Sequence, residues 1–198
     1  MDVTLTQART TGENGWRLLG QGLRLVWWVW LLVLALIVIL TVGTPTMLDY
    51  VHVLTGGAWT GIDLFMGFVI GPVMRRMTPE ARRNLISQLM PRTLVFMPVL
   101  SAVAITSGYY LASRLGLFHQ PRFEPWLLAA GLVVLWLFVQ GFGVLLPTNI
   151  RIYREISREK PDLEKIGRIM RRYIAFTALQ GLLQLGIIFI MANLAFGP

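Results

Sequence analysis

Five long apolar stretches, at about 25–42, 51–74, 93–112, 126–146 and 173–195, are separated by short polar segments. Each is 18 to 24 residues long. At about 1.5 Å per helical residue each crosses a hydrocarbon layer about 30 Å thick, the first only just. The pattern predicts an all-α membrane protein, an antiparallel bundle of about five transmembrane helices. The bundle fills 24–198 as one domain, behind a tail or surface-lying helix at 1–23. Composition agrees: 14% of residues are charged, against roughly 25% in soluble domains, and the mean hydropathy is +0.62.

The polar segments alternate in charge. Before the first stretch lie Arg9, Arg17 and Arg24, and five Arg lie between the second and third. Eight cations from Arg151 to Arg172 lie between the fourth and fifth. Only Arg114 and Arg122 occupy the opposite side. Cations hold loops on the cytoplasmic side. The N-terminus is therefore expected in the cytoplasm and the C-terminus outside, in a multi-pass protein of a bacterial inner membrane. The net charge of +8 is thus assigned to anionic lipid and not to nucleic acid. Trp27, Trp28 and Trp30 form an interfacial belt on the first helix, and Val42-Gly43-Thr44-Pro45 lacks a small-residue cleavage site.

With no cysteine in the chain, disulfides, iron–sulfur clusters and thiolate chemistry are excluded. Phosphate loops, dinucleotide fingerprints, zinc-protease motifs and nucleophile elbows are also missing from it. Thr78-Pro79-Glu80 predicts a short capped helix over 78–90, and Pro161-Asp162 opens a basic helix leading into the fifth span. Pro72, Pro98 and Pro147 should kink or end helices.

The second helix carries the candidate chemistry. At 100° per residue, with His52 as origin, Gly56 falls at about +40°, Trp59 at about −20° and Asp63 at about +20°. Gly57/Gly61 and Gly67/Gly71 form two GxxxG pairs suited to close helix approach. His52 lies at the outer end, and Asp63 lies about 16 Å deeper. One metal ion cannot be shared by the two. At the outer level His52 is either an interfacial histidine or a ligand to haem b or copper. In the second case Tyr109 and Tyr110 lie at its depth, and Arg114 and Arg122 are available for propionates. His119, in the adjacent loop, is a further metal-ligand candidate, and Met47 a soft one. At the middle level a charged Asp63 costs about 2.5–3.5 kcal/mol, so it must face inward. It is either a proton relay or substrate contact, or a neutral acid joining helices. Gln184 and Ser101 lie at its depth, with Gln180 and Gln140 deeper. Gln180 and Gln184, spaced i,i+4, read as interhelical glue.

The run His52-Val-Leu-Thr-Gly-Gly-Ala-Trp59-Thr-Gly61 resembles the opening helix of a loose bacterial group. It includes copper-resistance protein D (CopD)-like membrane proteins, the membrane protoporphyrinogen oxidase and the membrane domain of a cytochrome-linked urate oxidase. Arg82 to Tyr110, with Pro91, Pro98 and Thr106-Ser-Gly108-Tyr, is similar to uncharacterised integral membrane families. The resemblance implies a four-helix antiparallel bundle with one extra helix. It also implies His52 as the haem-b- or metal-facing residue, with Gly56 leaving room for a macrocycle, and electron transfer or haem-linked redox chemistry. Copper handling is the alternative the group offers. The intramembrane lysine that partners the oxidase's histidine has no counterpart here, which argues against that activity. A third reading makes the chain a non-catalytic subunit that docks other membrane or electron-transfer subunits, or a second copy.

Overall fold

A computed structural model describes residues 20, 22–158 and 160–197. The tail expected over 1–23 lies almost wholly outside them. Among the described residues there are helices and no strands. Four helices are long and apolar enough to cross a membrane: α2 (Pro45–Arg76), α3 (Pro79–Arg114), α4 (Pro121–Ile156) and α5 (Leu163–Phe196). They form an all-α membrane bundle. The first apolar stretch is shorter than expected. It folds as α1 (Trp27–Val42), beginning with a 3-10 turn at Trp27–Val29.

Local chemistry explains the starts. Thr44 and Thr78 each cap a helix with Pro at its first position, accepting from Met47 N and Ala81 N at 3.3 Å. Asp162 accepts from Lys165 N at 2.9 Å and opens α5. Gly116, at φ +66°, takes the left-handed conformation just beyond α3. The capped segment at 78–90 is no separate helix: α3 runs unbroken from Pro79 to Arg114 through Pro91 and Pro98.

The other two prolines are absorbed differently. In α2 a π-helical turn, Met66–Ile70, ends two residues before Pro72. In α4 another, Gly141–Leu145, ends two residues before Pro147. A proline supplies no N–H and crowds the carbonyl four residues back, and a wider turn there relieves both problems.

α2 is the central helix, packed on α1, α3 and α5, and α5 packs in turn on α4. The backbones of α3 and residues 124–140 of α4 stay apart, although Leu100 and Ala104 share a side-chain cluster with Leu137. The two helices meet lower, where Leu146–Ile156 packs against α3. Of the two glycine pairs, only the second works as expected. A Cβ on Gly67 would stand 2.6 Å from Ala178 Cβ, and one on Gly71 2.5 Å from Ile174 Cγ2. Gly57 and Gly61 are exposed, and a Cβ on either would meet nothing.

Arginines close several helix ends. Arg82 donates to Met74 O (2.9 Å) and Met77 O (3.2 Å) at the end of α2. At the cation-rich end of α4, beyond its apolar stretch, buried Glu155 accepts from Lys165 Nζ at 2.7 Å and from Arg158 at 3.0 Å. The hydrogen bond from Lys165 holds the Glu155 carboxyl below its ordinary range, against the opposing effect of burial and with help from the Arg158 charge.

Candidate functional site

The expected stripe on α2 does turn inward. Trp59 and Asp63 are buried, and His52 and Gly56 are half-buried. Asp63, only 1% exposed, accepts a hydrogen bond from Gln180 Nε2 at 2.7 Å. Gln184 and the Trp59 indole also approach this carboxyl. The close contact of Gly67 with Ala178, one turn below, brings α5 near enough for Gln180 to reach. Ser101, at the same depth, bonds its own helix at Pro98 O. Gln140 is engaged elsewhere: it donates to Phe176 O at 2.7 Å and accepts from Trp136 Nε1 at 3.0 Å, joining α4 to α5.

Asp63 lies on a cavity of about 60 Å³ where α3 and α4 part. Its polar lining also includes Thr93, Ser101, Asn149, Tyr173 and Gln180. Among the described residues no cation or second acid lines it, and Tyr173 is the other titratable group. Asn149 donates to Thr93 Oγ1 at 3.2 Å, but its Oδ1 has no partner among the described residues. The same holds for Gln180 Oε1 and for both polar atoms of Gln184. Buried polar atoms are almost always satisfied. This cluster thus holds a surplus of hydrogen-bond acceptors around one carboxyl. Toward the cation-poor end it is closed by Trp59, Leu100, Ala104 and Leu137. Toward the cation-rich end its lining residues Leu145 and Tyr173 belong to an apolar cluster with Ile86, Met90, Ile152 and Met170. The exposed members of its lining are Phe138 and Phe142, so it opens sideways.

His52 sits one level outward. Its Nδ1 lies 2.9 Å from Ala104 O. A carbonyl can only accept, so Nδ1 carries a proton toward it and Nε2 is the nitrogen left outside this bond. The ring rests on Gly108, where a Cβ would stand 2.6 Å from Cε1. Ser107 Oγ is 3.5 Å from Nδ1. At Gly56 a Cβ would meet nothing within 4 Å.

The other expected residues are not gathered around this imidazole. Arg114 donates to Leu40 O at 2.6 Å and Gly43 O at 2.7 Å, capping α1. Arg122 bonds Gln120 Oε1 at 3.1 Å and lies over the Phe123 ring. Tyr109 and Tyr110 are exposed and stack edge-on. His119 is exposed in a 3-10 turn, and Met47 is exposed near the start of α2. Among the described residues no three His, Cys, Asp or Glu side chains form a metal-binding group.

Sequence reasoning missed Thr93, Asn149 and Tyr173. Hydropathy puts them at or past the ends of apolar stretches, yet the helices continue and bury them. The Asn149 signal was its place in Pro147-Thr-Asn-Ile, between an apolar stretch and a basic one. Gly108 was also missed as the seat of the imidazole, and only the packing of α2 on α3 reveals it.

No curated protein and no solved structure matches the chain. A family model described as Domain of unknown function (DUF4149) matches residues 54–148; this stretch takes in Asp63, Thr93 and Ser101, begins after His52 and stops just before Asn149.

Proposed function

We propose that the chain is a membrane protein that exchanges protons at Asp63. The reading rests on one observation: a fully buried carboxyl has a single well-formed, neutral hydrogen bond, beside a cavity lined by Asn149 and Gln180, whose side-chain oxygens lack partners among the described residues. A lone charge at this depth is costly. The carboxyl therefore rests protonated and neutral, and it ionises only when a proton acceptor or a donor-rich ligand comes beside it. Gln180 orients it through the 2.7 Å bond, and the apolar groups above and below keep bulk water away. The test is difference infrared spectroscopy of the reconstituted protein across pH. A protonated-carboxyl band that titrates and vanishes in Asp63→Asn supports the reading. A wild-type spectrum identical to that of Asp63→Asn refutes it.

A second reading is favoured by His52. An imidazole whose Nδ1 is held by a backbone carbonyl presents its other nitrogen as a ligand. His52 and open Gly56 fit an axial ligand to haem b, or a copper ligand, at the outer level. Such a group would supply one-electron chemistry beside the Asp63 proton site. Arg114 and Arg122, already engaged, do not fit a propionate clamp, and among the described residues no three His, Cys, Asp or Glu side chains gather there. A Soret band lost in His52→Ala would support this reading, and colourless protein from haem-replete cells would refute the haem form.

A further inference from the structure

We infer that the crevice between α3 and α4 admits, sideways from the acyl layer, the hydroxyl-bearing head of a lipid-soluble molecule of the hydroquinone class. The inference deepens the Asp63 reading and rests on it. Four observations converge. First, the cavity's lining joins apolar clusters in both directions along the bundle axis, and its exposed residues, Phe138 and Phe142, come from the side. A visitor must therefore pass through lipid, which disfavours ions and charged amines.

Second, the inner end asks for hydrogen donors. Gln180 Oε1 and Asn149 Oδ1 are buried and unpartnered among the described residues, and both residues line the cavity together with Asp63. Two hydroxyl hydrogens answer that demand, whereas a carbonyl or ether oxygen would add to the surplus. Third, the walls carry Trp59, Tyr173, Phe138 and Phe142, which suit a flat ring. Fourth, the cavity of about 60 Å³, open at its side, takes only the polar end of such a molecule, leaving any tail among the lipids. The π-helical turn Gly141–Leu145 lies on this wall, and such turns concentrate at functional sites.

The test compares a short-chain alkyl hydroquinone with its dimethyl ether, which has the same ring and no donors. Binding to the full chain in nanodiscs is followed by thermal stabilisation and by tryptophan fluorescence. The hydroquinone should bind saturably, and the ether at least about tenfold more weakly, as the loss of one to two hydrogen bonds requires. Asn149→Leu and Gln180→Leu should each weaken the hydroquinone by about tenfold and leave the ether unchanged. Because the ether comparison needs no substitution, it stands even if a variant fails to fold. Equal binding of both compounds, or binding of neither, overturns the inference. If the infrared band of Asp63 still titrates in that case, the proton-exchange reading survives. If the band is also missing, both fall.

Discussion

Gly67→Ala tests the packing that brings α5 to Asp63. The added Cβ would stand 2.6 Å from Ala178 Cβ and 2.7 Å from Ala178 Cα. The second of these is backbone and cannot swing aside. Restoring ordinary contact moves α2 and α5 apart by about 1 Å, since apolar carbons pack at about 3.5–4.0 Å. Overpacking of this kind costs about 1–3 kcal/mol. The same displacement stretches the 2.7 Å bond between Gln180 and Asp63 beyond useful length, and an interhelical bond in a membrane contributes about 0.6 kcal/mol. The total is about 1.6–3.6 kcal/mol, or roughly 15- to 400-fold in the unfolding equilibrium. Gly57→Ala is the internal control. Its Cβ meets nothing, and removing a helix glycine gains up to about 1 kcal/mol. Unfolding by sodium dodecyl sulfate in mixed micelles measures both variants, and the infrared carboxyl band should shift only in Gly67→Ala. Equal stability of the two variants would refute the close approach of α2 to α5, and with it the geometry around Asp63.

Three further outcomes follow from particular contacts. Gly108→Ala forces the His52 ring off Ala104 O, because its Cβ would lie 2.6 Å from Cε1 and 2.9 Å from Nδ1. Nitrogen-15 NMR of the imidazole should then show loss of the fixed Nδ1–H tautomer, and an unchanged spectrum contradicts the assignment. Arg114→Met leaves the last carbonyls of α1 without their guanidinium. Hydrogen exchange near Ile39–Val42 should rise, for a loss of about 0.5–1 kcal/mol at this exposed site. The Glu155 carboxyl is held below its ordinary value of 4.5. Its contribution is therefore fully present above that value and is lost as pH falls through the lower, folded-state value. Wild type should exceed Glu155→Gln in stability by a constant margin from neutral pH down to about 4.5, and the margin should shrink below it. A margin that is flat through acid pH would refute the ion pair with Lys165.

The sequence by itself determined the class of the protein and which face of α2 carries its polar stripe. Membrane spans are legible because a run of apolar side chains satisfies lipid locally, whatever packs beside it. The helical period alone put His52, Gly56, Trp59 and Asp63 on one stripe. Caps were legible too, since Thr44, Thr78 and Asp162 bond within their own turn.

Only the tertiary structure decided which glycine pair packs, which glutamine meets Asp63 and where the arginines go. Gly57/Gly61 and Gly67/Gly71 are the same pattern, and they differ only in whether Ala178 and Ile174 of α5 lie opposite. Arg114 looks free for an anion until α1 ends beside it with open carbonyls. Asn149 and Thr93 become a polar floor because α3 and α4 extend past their apolar stretches and meet there, while parting above. Such pairings join residues far apart along the chain, through the spacing and tilt of neighbouring helices, and no local pattern in the sequence encodes either.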